Sequence, residues 1–124
     1  MKQKQLNVLG TSLEICGTNP KTGYYRDGCC HTESKDVGMH TVCAIVTEEF
    51  LEYSRIKGND LITPRPELNF PGLKSGDAWC VCATRFEEAR LAGCAPKVKR
   101  TATNEKTLEV VSLEVLKNYQ IDLN

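Results

Sequence analysis

The chain has 124 residues, 40% of them hydrophobic and 26% charged, with sixteen basic against sixteen acidic side chains. That length buries one core and is short for two, and the balanced charge leaves no net field to draw nucleic acid or an anionic membrane. No signal-type apolar segment follows Met1 and no apolar run nears the roughly 18 residues of a membrane span, so a cytoplasmic protein is expected. Seven cysteines are an odd number, and in a reducing compartment they predict mostly free thiols or metal ligands.

Residues 1–5 read as a flexible tail and residues 6–124 as a single α+β domain. Leu6 to Leu9 is a short strand candidate, and Gly17 to Gly23 is turn chemistry, with Asn19-Pro20 at its start. Asp27-Gly28 is a tight-turn dipeptide presenting Cys29 and Cys30. His31 to Met39 is a polar loop. Thr41 to Val46 is β-branched and continuously apolar, the pattern of a buried strand. Thr47 caps a helix behind it, with Glu48 and Glu49 at the positive end of the dipole, Phe50, Leu51, Tyr53 and Ile56 on one face, and Gly58 as its stop.

Asn59 to Asp77 holds Pro64, Pro66 and Pro71 and cannot be a regular helix or inner strand; loops this long inside small domains usually bind or cover something. Ala78 to Cys82 is a second buried strand. Thr84 to Glu87 reads as a capping box opening a helix that Gly93 closes. Lys97 to Ala102 is a basic edge strand, and Ser112 caps a terminal helix bearing Leu113, Val115 and Leu116. Two or three helices on a short mixed or antiparallel sheet make a two-layer α+β domain.

The motifs Asn7-Val8-Leu9-Gly10, Tyr25-Arg26-Asp27-Gly28-Cys29-Cys30, His40-Thr41-Val42-Cys43-Ala44, Gly58-Asn59-Asp60-Leu61, Pro64-Arg65-Pro66, Phe70-Pro71-Gly72-Leu73, Trp79-Cys80 with Cys82-Ala83, and Ala95-Pro96 together resemble domain-of-unknown-function family 2237. This is a group of small bacterial and plant proteins. The resemblance runs over nearly the whole chain, and it implies a small two-layer α+β domain without supplying a mechanism. His31 and Cys94 fall outside the family's pattern.

Three chemistries compete for the polar stretch between Gly23 and Cys43. The first is binding of a small polar ligand or a protein, with Tyr25, Arg26, Asn59, Asp60 and Arg65 lining a cleft closed by the proline-rich loop. Arg65, fixed between two prolines, suits a carboxylate or phosphate; the plainer alternative is a salt bridge to Asp60 or Glu67. The second is a Zn or Fe site drawn from Cys29, Cys30, His40, Cys43, Cys80 and Cys82. No C-x-x-C pair supports it, and Cys80 and Cys82 project about 7 Å apart on one strand face, so no cofactor is the default expectation. The third is a thiol-dependent enzyme with Cys29 or Cys30 as nucleophile, His40 as base and Asp27 as its orienter. Cys82, shortly before a helix cap and near Arg85, is a further candidate for an activated thiol.

Overall fold

The computed structural model describes residues 5–121. The expected tail lies outside them except for Gln5, whose side-chain amide exchanges two hydrogen bonds with the backbone of Thr32.

Three antiparallel strands form one sheet in the order β2, β1, β3, where β1 is His40–Ile45, β2 is Ala78–Cys82 and β3 is Lys97–Val98. The central strand β1 carries the uninterrupted buried run Thr41 to Ala44, as expected of a strand covered on both faces. Its neighbour β3 is only two residues long. Beyond it the chain turns into a 3-10 segment at Arg100–Ala102, so the basic edge strand is shorter than the sequence suggests. The outer edge of β2 does not end in bare amides, because the buried Thr22 hydroxyl accepts from Cys80 N at 2.8 Å.

Three helices complete the α+β architecture: α1 (Glu48–Ile56), α2 (Ala83–Leu91) and α3 (Leu113–Asn118). Thr47 caps α1 by accepting from Phe50 N at 3.1 Å, and Ser112 caps α3 by accepting from Val115 N at 3.2 Å. The inner face of α1 is Phe50, Leu51 and Ser54, while Ile56 points into solvent. The capping box expected at Thr84 does not form. Helix α2 begins directly at Ala83, with Cys82 at the cap position and no side-chain capping bond, so β2 runs straight into the helix.

Phe50, Phe86, Val81, Val98 and Leu116 make the main core, each contributing about 1.5–3 kcal/mol by leaving water. A second buried cluster, Cys16, Cys30, Cys43, Cys80 and Ala102, lies beside it. Residues 6–9 are not a strand. The Asn7 side-chain oxygen takes the amides of Leu9 and Thr11 and folds them into a turn, a local alternative that competes with sheet pairing. The proline-rich loop is irregular as expected, yet well anchored: Arg65 and Phe70 exchange two backbone hydrogen bonds, and Phe70 packs edge-on to Trp79 at 5.1 Å.

Candidate functional site

Four of the seven cysteines are paired. Cys16 is bonded to Cys43 and Cys30 to Cys80, which corrects the expectation of mostly free thiols. The physical reason is proximity that spacing along the chain does not reveal. Cys43 and Cys80 are register partners across the β1–β2 ladder, and each receives a cysteine from the loop that crosses the sheet, placing the sulfurs of Cys16, Cys30 and Cys80 within 4.8 Å of one another. An odd count requires only one thiol left over. All four paired residues are 8% exposed or less, so burial shields the bridges. Cys30 is therefore not a free nucleophile, and Cys30, Cys43 and Cys80 are not open metal ligands. Cys82 and Cys94 remain free thiols and Cys29 lies outside both bridges; all three are half-buried.

The crossing loop is shaped by close backbone approach. A Cβ at Gly23 (φ +104°) would stand 2.3 Å from the Cys29 carbonyl oxygen, so only glycine fits there. Asp27 does not orient His40. Its carboxylate accepts from Cys29 N at 3.1 Å and meets His31 Nδ1 at 3.2 Å. Asp27, Cys29 and His31 bring three potential metal-ligand atoms within 4.8 Å of one another. The metal set expected from the sequence is thereby divided among four places: Cys29 with Asp27 and His31, Cys30 with Cys80, Cys43 with Cys16, and His40 with Cys82.

His40 is oriented instead by Asp36, from the loop that reads as merely polar in sequence. The Asp36 side chain is 1% exposed and accepts three hydrogen bonds: from the Thr32 hydroxyl at 2.9 Å, from His40 N at 2.9 Å, and at 2.7 Å from the imidazole through Nδ1. The ring also hydrogen-bonds the sulfur of Cys82, its partner on β2 at the register irregularity between His40 and Val42. Gly38 closes over both, since a Cβ there would lie 3.0 Å from Cys82 Sγ and 3.2 Å from His40 Cε1. The His40 pKa is pushed from 6.5 up to about 9, first by hydrogen bonding to the Cys82 sulfur and then by the charge on that sulfur and by Asp36, against the opposing effect of burial. Met39, directly before His40, has φ +50°, a conformation that costs a residue with a side chain about 1–2 kcal/mol. Only the i, i+4 spacing of Asp36 and His40 hints at this pairing in the sequence.

His40 also lines a cleft of about 410 Å³ with Tyr24, Arg26, Asn59, Asp60 and Arg65, and with Trp79 and Phe70 beneath. Tyr24 stacks on the imidazole at 6.3 Å. Arg26, itself at φ +56°, lays its guanidinium over Trp79 at 4.9 Å. Among the described residues no carboxylate lies within salt-bridge distance of Arg26 or Arg65. Asp60 is occupied elsewhere: the Thr63 hydroxyl and the amides of Ile62 and Thr63 bond its carboxylate and hold its pKa below the usual range, with Arg65 a smaller influence. Four of the five expected ligand-binding residues thus share one cleft. Tyr25 faces a different, larger cavity of about 1040 Å³ bordered by Glu33, Glu105 and Glu109, and donates to Glu33 at 3.2 Å.

Fold and site together define a small α+β domain with two buried disulfides and a cleft lined by Arg26, Arg65 and His40, the imidazole being held from behind by Asp36. Residues 6–120 match the family described as "uncharacterized protein conserved in bacteria", DUF2237, and the chain belongs to it. Comparison with curated proteins gives no match. No helix among the described residues is long and apolar enough to cross a membrane.

Proposed function

We propose that this domain binds a small anionic molecule, a carboxylate or a phosphate, in the cleft lined by Arg26, Arg65 and His40, in a cytoplasmic setting where burial preserves the two bridges. The observation that carries the reading is the convergence on one cleft of two guanidinium groups with no carboxylate within salt-bridge distance among the described residues, beside an imidazole whose pKa is raised to about 9. Asp60 is the acidic lining residue, and its oxygens are already committed to Thr63 and Ile62. An entering anion therefore replaces water on the two guanidinium groups, and each charge-assisted hydrogen bond gained is worth about 1.5–3 kcal/mol.

Calorimetric titration with inorganic phosphate and with succinate checks this. Wild-type protein at pH 7 is expected to bind at least one of the two saturably, and Arg65→Gln to weaken binding about tenfold, the equivalent of roughly 1.4 kcal/mol. Absence of saturable binding of either anion, or equal affinity in the variant, sinks the reading.

A further inference from the structure

We propose that Cys82 is a covalent nucleophile, with His40 as its proton partner and Asp36 as the positioning residue, acting on a small anionic molecule that carries an electrophilic carbon. The substrate class rests on the binding reading above; the nucleophile rests on its own geometry. Cys82 and His40 are paired across the β1–β2 ladder at its register irregularity between His40 and Val42. Gly38 leaves no room for a side chain between sulfur and ring, and any larger residue there would press on both. The buried Asp36 holds Nδ1 at 2.7 Å, which fixes the ring orientation and leaves Nε2 as the nitrogen free to exchange a proton with the thiol. Cys82 sits at the cap of the nine-residue helix α2, with no side-chain capping bond competing for its amides. An imidazole within reach of a thiol gives its proton an acceptor and leaves the sulfur electron pair for attack on carbon. Half-buried exposure leaves the thiol reachable, in contrast to the four sealed sulfurs. His40 belongs at once to this pair and to the Arg26 and Arg65 cleft, so His40 is the group that the anion cleft and the thiol share.

In the step itself the sulfur electron pair forms an S–C bond while the bond from that carbon to its leaving group breaks. The leaving group departs with the bonding electrons and takes the proton that His40 holds on Nε2, which originates from the thiol. The balance is thiol plus R–X giving the S-substituted cysteine plus H–X, with no oxidant or reductant.

Alkylation by iodoacetamide and iodoacetate, followed by intact mass between pH 6 and 9, tests the proposal. In protein carrying Cys29→Ser and Cys94→Ser, Cys82 is the remaining free thiol. At pH 6.5 it is expected to react with neutral iodoacetamide at least tenfold faster than Cys94 does in the Cys29→Ser, Cys82→Ser protein. Besides Cys82, the groups facing His40 are Asp36, the Tyr24 ring and, across the cleft, Arg26, Asp60 and Arg65. Asp36→Asn and His40→Gln are expected to bring the pH profile of Cys82 to that of Cys94, a change that a purely structural role does not produce. The comparison of Cys82 with Cys94 alters neither His40 nor Asp36, so it stands even if those variants misfold. Equal rates for the two thiols overturn the nucleophile. The anionic reagent reports on the substrate class separately: the iodoacetate to iodoacetamide ratio is expected to be several-fold higher at Cys82 than at Cys94 and to fall in Arg65→Gln. A fast thiol without that preference overturns the substrate class.

Discussion

Cys80 and Cys82 stand two residues apart on the same face of β2, and their surroundings give them opposite chemistry. Cys80 is 1% exposed in an apolar cluster, bonded to Cys30, with its backbone amide held by Thr22. Cys82 lies where the strand becomes a helix, half-exposed, opposite an imidazole backed by a buried carboxylate. One is a staple and the other is a half-exposed free thiol. Residue type and strand position do not separate them; what lies across the ladder does. Cys80 faces Cys43 and Cys82 faces His40.

The sharpest way to break this comparison is to remove the staple. Replacing Cys30 and Cys80 together by Ser opens a bridge between residues 50 apart in sequence, which chain-entropy reasoning values at about 4 kcal/mol. Urea denaturation should show that loss while the iodoacetamide reactivity of Cys82 in the folded protein stays unchanged. A loss below about 1 kcal/mol, or a changed Cys82 rate, would mean that the two regions are not independent.

Next in size is the polar end. Asp36→Asn removes the charge from a buried group holding three hydrogen bonds and is expected to destabilise by about 2 kcal/mol, again measured by urea denaturation. The smallest effect is the pH dependence. The folded-state pKa of His40 is raised, from 6.5 to about 9, so its contribution is complete below pH 6.5 and disappears as pH rises through about 9. Because the side chain is 39% exposed, solvent screening reduces this to about 1 kcal/mol. Thermal melts between pH 6 and 9.5 should show a decline that His40→Gln flattens; an equal decline in both proteins would assign it to other groups.

The strands and helices with strong local patterns were legible in the residues. The β-branched run of β1, the Thr47 cap of α1 and the Ser112 cap of α3 each follow from short-range physics, and the family's motifs agree with them. The capping box at Thr84 failed because the chain passes from β2 into α2 without a linker, and the short-range signal of Thr84 and Glu87 loses to that continuity. Leu6 to Leu9 failed because the Asn7 side chain captures the local amides. In the site, Arg26, Asn59, Asp60 and Arg65 were recognisable as polar groups flanking an unusually long loop, while Asp36 was not, since one aspartate in a polar loop carries no mark of its burial.

By itself, the sequence determined the α+β class, the central strand, the caps of α1 and α3, and the set of polar and thiol residues from which a site can be made. Those properties depend on side-chain type and on neighbours a few positions away. Only the tertiary structure decided which cysteines are bridged, that Asp36 rather than Asp27 holds His40, and that Cys82 is its thiol partner. Those depend on ladder register and loop crossing, where a shift of one residue exchanges every facing pair, and no spacing along the chain encodes that choice.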